Sequence, residues 1–142
     1  MPGKVLISDN PLNAMDVMRE VAPAGLDITV ARAGSPEFAA ALAEAEFLIG
    51  LSEFRTDDAF FKSAPKLKLL QLLSAGYDRI DIEAARRAGV PVCNNGGANS
   101  VAVAEHALML MLAVSRRMVW QHRMVVSGSW RGNDVASVRL YE

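Results

Sequence analysis

An α/β fold built on a five-stranded parallel sheet is predicted by three observations. Short apolar runs recur at residues 5–8, 26–30, 47–51, 67–73 and 90–92. Within each run successive residues are apolar instead of alternating with polar ones, as in strands buried on both faces of a parallel sheet. The segments between the runs open with helix start signals, so the chain reads as β-α units in succession.

Taken in order, the first run is followed by Asn10-Pro11, a capping side chain ahead of a proline at the first helical position. Ser35-Pro36-Glu37 repeats the device after the second run. Thr56-Asp57-Asp58 and Asp81-Ile82-Glu83 each place a cap and then acids where the helix dipole favours negative charge. Gly25, Gly34 and Gly89 fall at turns, and the Ala-Gly-Val-Pro-Val stretch at 88–92 reads as a helix end feeding a strand. Strict alternation calls for right-handed crossovers and helices on both faces. The simplest strand order is the flavodoxin-like 2-1-3-4-5.

The last third has a different character. Residues 100–127 contain neither Gly nor Pro. They predict a single long C-terminal linker helix of roughly 40 Å, well beyond the ordinary helix length. Such a helix reaches another domain or another subunit. Met109, Met111, Met118 and Met124 suit an adaptable packing surface, and Trp130 in the following loop reads as an anchor. The 142-residue chain ends at Val-Arg-Leu-Tyr-Glu, which reads as a sequence stopped short.

Composition excludes several classes. With 51% hydrophobic and 22% charged residues the chain is not intrinsically disordered. Fifteen Lys+Arg against sixteen Asp+Glu leave a net charge of −1, which offers no electrostatic case for nucleic acid or an anionic membrane. The lone cysteine, Cys93, excludes an internal disulfide framework and reads as buried filler. The first ten residues lack the apolar core of a signal peptide. Glu105 and His106 interrupt the most apolar stretch, 101–114, so no membrane span is expected. The expectation is a soluble cytoplasmic domain.

In an open α/β sheet, ligands bind beyond the carboxyl ends of the strands. The residues there are Asp9-Asn10, Ser52-Glu53, Ser74-Ala75-Gly76-Tyr77-Asp78 and the stretch from Asn94 to Ser100. The Ser74–Tyr77 segment has two readings: a tight turn with glycine at positive φ, or a run of amides close enough to cradle an anion. Asn99 and Ser100 open the long helix, where capping is the default role and an anion site the alternative. His106 follows Glu105, but neighbours on a helix point about 100° apart and do not pair. It reads as a core or interface histidine, and His122 has no partner. No metal-ligand spacing occurs, and neither a Gly-x-Gly-x-x-Gly fingerprint nor a P-loop. A phosphoacceptor receiver domain needs two acids after strand one, an Asp after strand three and a Lys after strand five. Those positions read Ser8-Asp9, Leu51-Ser52 and Cys93-Asn94.

Three pieces in register across about fifty residues carry a resemblance. They are Ala75-Gly76-Tyr77-Asp78 with Ile80-Asp81, then Gly89-Val90-Pro91-Val92 with Asn94, and Asn99-Ser100 with Val103-Ala104-Glu105-His106. Together they resemble the D-isomer-specific 2-hydroxyacid dehydrogenase family, which includes glyoxylate/hydroxypyruvate reductases, phosphoglycerate dehydrogenases and formate dehydrogenases. The resemblance implies a flavodoxin-like substrate-binding domain over residues 1–99. Residues 100–142 then form a linker and dimerisation helix, with a loop leading to a Rossmann domain beyond the segment. It implies that the Ala75 and Gly76 amides hold the substrate carboxylate, and that Asn99 contacts substrate. Ser52 lines the pocket, and Ser100 and Val103 approach the nicotinamide of NAD or NADP. Ser74 stands where the family often has Gly, and the lysine expected of a phosphite-oxidising relative at Ala75 is missing.

The implied chemistry is hydride transfer between nicotinamide and a small D-2-hydroxy or 2-oxo acid, in a homodimer. The family's catalytic Arg, acid and His have no counterpart in this segment, and no metal is implied. The 142 residues alone are therefore expected to be inactive. The alternative is a non-enzymatic flavodoxin-like binding or dimerisation module.

Overall fold

The computed structural model describes residues 3–9, 18, 20–50 and 55–129. The expected cap at Asn10-Pro11, Ser52, Trp130 and the chain end at Tyr141-Glu142 lie outside the described residues. The chain divides into two compact units, Met1–Ala98 and Asn99–Glu142.

In the first unit the described residues form β1 (Gly3–Asp9), β2 (Leu26–Arg32), β3 (Phe47–Gly50), β4 (Leu69–Leu72) and β5 (Val92–Cys93). Every pair is parallel and the order is β2-β1-β3-β4-β5, the flavodoxin-like order expected. Pairing places residues of like facing side by side. One row runs Thr29, Leu6, Leu48, Leu70, Val92, and the next runs Ile28, Val5, Phe47, Leu69.

The first row faces the core. Leu6, Leu48, Leu70 and Leu72 are at most 1% exposed. They pack with Phe38 and Leu42 of α1 (Pro36–Leu42), Phe61 of α2 (Asp58–Ser63), and Ala84 and Ala85 of α3 (Ile82–Ala88). The α1 and α3 helices start at the expected caps, whereas the cap of α2 is Asp57, one residue after the expected Thr56. Ser35, Asp57 and Asp81 accept from the backbone N–H three residues on, at 3.1, 3.0 and 2.8 Å. The α3 helix stops at Gly89, whose left-handed φ of 72° closes the end, with Val90 N–H reaching the Ala85 carbonyl at 3.0 Å. Met18 and Val21, both helical, stand with Pro23 over the opposite face. Together with Val5, Ile28, Phe47, Ile49 and Leu69 they line an apolar groove of about 440 Å³.

The second unit departs from expectation. In place of one helix over 100–127 there are two, α4 (Ser100–Ser115) and α5 (Met118–Val126). The break lies at Arg116-Arg117, where Arg117 takes φ 50°, ψ 40°. A left-handed residue cannot continue a right-handed helix, and nothing but a two-arginine sequence marks the place. The Arg117 guanidinium lies 5.7 Å from the Trp120 ring centre, a cation–π contact that accompanies the turn. Glu105, Leu108, Met109, Leu112, Met118 and Gln121 line a cleft of about 490 Å³ between the two helices.

Candidate functional site

The carboxyl edge of the sheet is built by the segments that follow β4 and β5. The parallel ladder continues past both strands. Leu73 N–H donates to the Gly50 carbonyl at 2.9 Å, and Asn95 N–H donates to the Ser74 carbonyl at 3.0 Å. The start of the Ser74–Tyr77 segment is thereby tied to the sheet before the chain bends away. Two side chains complete the hold: Asn94 Nδ2 donates to the Ala75 carbonyl at 2.7 Å, and Ser74 Oγ donates to the Gly76 carbonyl at 2.8 Å. Below the loop, buried Thr56 accepts from Asp81 N–H at 2.8 Å through Oγ1 and ties the start of α3 to the segment before α2.

This geometry decides between the two readings of the loop in one respect. Gly76 is not among the glycines at positive φ, so its conformation does not require glycine on that ground. Space is the tighter constraint: a Cβ at Gly76 would stand 3.3 Å from Asp78 Oδ2. Among the described residues the amides of Ala75, Gly76 and Tyr77 donate to no protein acceptor. Three successive N–H groups at the end of a parallel sheet can bind one anionic group.

The other residues singled out from sequence fall as follows. Asn99, Ser100 and Val103 belong to the second unit. Asn99 stands at the N-cap of α4 but makes no side-chain cap bond; its carbonyl accepts from Val103 N–H at 2.9 Å. The default capping role is therefore not what its side chain does. Ser100 and Val103 are exposed on the first turn. Cys93, expected to be buried, is exposed, because β5 is the edge strand and only two residues long. His106, expected in a core or an interface, is exposed, since α4 buries none of its residues. No cluster of potential metal ligands occurs among the described residues. What sequence reading missed is the bracing pair Asn94-Asn95. Its signal was two consecutive carboxamides closing an apolar strand, side chains that can hydrogen-bond backbone groups.

The charged groups with altered acidity lie elsewhere in the fold. Hydrogen bonds from Lys66 and then Lys4 hold the Glu44 carboxyl below its ordinary range, and Lys68 does the same for Glu46. Lys4, Glu46 and Lys68 sit at or just before the N-terminal ends of β1, β3 and β4. They mark the edge of the sheet opposite the loop. The Arg87 guanidinium, bonded to Asp58 at 2.9 Å, is held above its ordinary value.

Comparison with known proteins gives these features a context. Residues 5–137 match the family described as D-isomer specific 2-hydroxyacid dehydrogenase, catalytic domain. A glyoxylate reductase of Thermococcus litoralis is 39% identical over 92 residues, covering 65% of this chain and 28% of that protein. A D-3-phosphoglycerate dehydrogenase of Archaeoglobus fulgidus is 32% identical over 140 residues, covering 96% of this chain and 26% of that protein. The chain thus spans about a quarter of the length of these curated relatives. Among solved structures, the TT0316 protein of Thermus thermophilus aligns with a TM-score of 0.66 at 34% identity, covering 91% of this chain and 42% of that one. The D-lactate dehydrogenase of Aquifex aeolicus shares the fold at 21% identity, with a TM-score of 0.78 over 91% of this chain and 39% of that one. A match running through nearly the whole sequence, on a sheet of the order the sequence predicts, is decisive: this chain belongs to the D-isomer specific 2-hydroxyacid dehydrogenase family, in its catalytic-domain portion.

Proposed function

We propose that this chain supplies the substrate-binding part of an NAD(P)-dependent oxidoreductase, one that transfers a hydride between nicotinamide and a small D-2-hydroxy or 2-oxo acid. The observation that carries the reading is the loop at the carboxyl edge of the sheet, where three successive amides meet no acceptor among the described residues. Residues 1–99 act as the substrate-binding domain and 100–142 as the linker and dimerisation segment. The Ala75 and Gly76 amides receive the carboxylate, and Asn99 and Ser52 contact the rest of the acid. A carboxylate accepting two or three N–H bonds is bound tightly and kept ionised, so the acid enters as its anion.

When bound, the nicotinamide supplies the hydride. Ser100 and Val103 are the residues of this chain that the reading assigns to it; both are exposed on the first turn of α4. The dinucleotide phosphates find no fit: the sequence has no three-glycine turn from strand to helix. What these residues do is bind and orient the acid. The family's proton-transfer and carbonyl-polarising groups have no counterpart among them.

Titration of the 142-residue chain with glyoxylate, followed by ¹⁵N–¹H NMR, tests the reading. Shifts led by the amides of residues 75–77 are expected, and shifts absent there overturn it. The same preparation is expected to leave NADH unoxidised with glyoxylate; measurable turnover would show that the catalytic groups are present after all. A second reading, a dimerisation module, is favoured by the apolar surface of α4, where Val101, Leu112 and Val114 are 72%, 63% and 78% exposed. Within the enzyme reading the same surface is the homodimer contact of a cytoplasmic protein. A module with no acid site would self-associate and leave the loop amides silent to glyoxylate.

A further inference from the structure

Among the described residues the loop amides meet no acceptor, and the carbonyls beside them show how they are aimed. A trans peptide is planar, so the N–H of each residue points opposite to the carbonyl of the residue before it. Fixing a carbonyl therefore aims the next N–H. Three consecutive carbonyls are fixed here by three different donors. The Ser74 carbonyl is held by Asn95 N–H at 3.0 Å, the Ala75 carbonyl by Asn94 Nδ2 at 2.7 Å, and the Gly76 carbonyl by Ser74 Oγ at 2.8 Å. The N–H groups of Ala75, Gly76 and Tyr77 are turned away from those donors. The first hold is backbone and survives side-chain change. The other two depend on side chains, one reaching across from the end of β5 and one local.

We infer that Asn94 and Ser74 are positioning residues for the acid group. Asn94 aims the Gly76 N–H and Ser74 aims the Tyr77 N–H, so that the amides converge on one carboxylate before it arrives. Pre-aimed donors bind an anion more tightly than donors that must first be ordered. Ser74 is also the departure from the glycine often found at its position, and its hydroxyl does something glycine cannot. The inference rests on the carboxylate reading of the loop.

The experiment separates the two. Without ligand, ¹⁵N relaxation of the whole 142-residue chain reads the order of each loop amide. Asn94→Ala is expected to loosen the Gly76 amide and Ser74→Ala the Tyr77 amide, with the thermal midpoint little changed because both side chains lie at the surface. Unchanged amide order in both variants overturns the positioning role. With glyoxylate as the probe, Asn94→Ala is expected to weaken binding about tenfold, as loss of one well-aimed bond to a charged group does. Asn94→Asp adds a readout that general loosening does not move. Its ionised carboxyl cannot donate to the Ala75 carbonyl and repels the anion, while its protonated form donates again. Binding by this variant is expected to recover as pH falls through the new carboxyl's titration. Glyoxylate binding to the unsubstituted chain at these amides, with Asn94→Ala binding equally well, overturns the inference and leaves the site reading standing. Failure of the unsubstituted chain to bind there removes both.

Discussion

The two units use the same apolar residues to opposite ends. In the sheet unit the central leucines disappear: Leu6, Leu48, Leu70 and Leu72 are at most 1% exposed, and each helix covering them has a side-chain cap. In the helical unit α4 carries Leu108, Leu110 and Leu112 with none of its residues buried, and its N-cap makes no side-chain bond. A helix apolar on all sides belongs in a surrounded environment. The sheet unit supplies its own packing partners, whereas α4 keeps its apolar surface uncovered among the described residues.

The same substitution should therefore have two different costs. Leu70→Ala opens a cavity in a packed core and is expected to cost about 2–5 kcal/mol of unfolding free energy. Leu112→Ala should stay within about 0.5 kcal/mol of the unsubstituted protein at low concentration. Urea denaturation of both variants checks this, and equal losses would break the contrast. A smaller loss, about 1–2 kcal/mol, is expected for Thr56→Val, which leaves the Asp81 N–H without its acceptor. Ser35→Ala, removing the cap of α1, should cost about 1 kcal/mol, whereas Asn99→Ala should cost less, because its side chain caps nothing. In self-association the order reverses. Leu112→Glu should shift sedimentation toward the monomer with little change in the urea midpoint, and unchanged sedimentation would remove α4 from the contact.

The smallest expected effect is electrostatic. The Glu44 carboxyl, with Lys66 and Lys4 beside it, has a folded pKa below its unfolded one. Its stabilisation is therefore complete at neutral pH and is lost as pH falls through the folded value, below the ordinary carboxylate range. Glu44→Gln should match the unsubstituted protein in acid and be slightly less stable at pH 7. Added salt should shrink the difference, since every partner is solvent-exposed.

The legible parts of the fold are those set by local chemistry. Ser35 and Asp81 cap as expected because the side chain and the backbone it caps are neighbours in sequence; at α2 the expectation fell one residue short, on Thr56 in place of Asp57. The strand order matches the expectation too, but that expectation came by analogy with doubly wound sheets and not from any local signal. The break at Arg117 was not legible, because arginine is a good helix former and neither Gly nor Pro stands there. In the site, the small residues of the loop announced close approach. The brace from Asn94 spans nineteen residues and exists only once β4 and β5 lie side by side. No pattern within either segment encodes that proximity.

The shortness of β5 bears on how the molecule survives at high concentration. A long open strand at the margin of a sheet is a template on which another chain can grow a ribbon. Here that margin offers Val92 and Cys93 alone, preceded by Pro91, which has no N–H to lend. The opposite margin is seven residues long, and its second and last residues are the exposed charges Asp27 and Arg32. One side is too brief to copy, and the other exacts a desolvation cost from anything that tries.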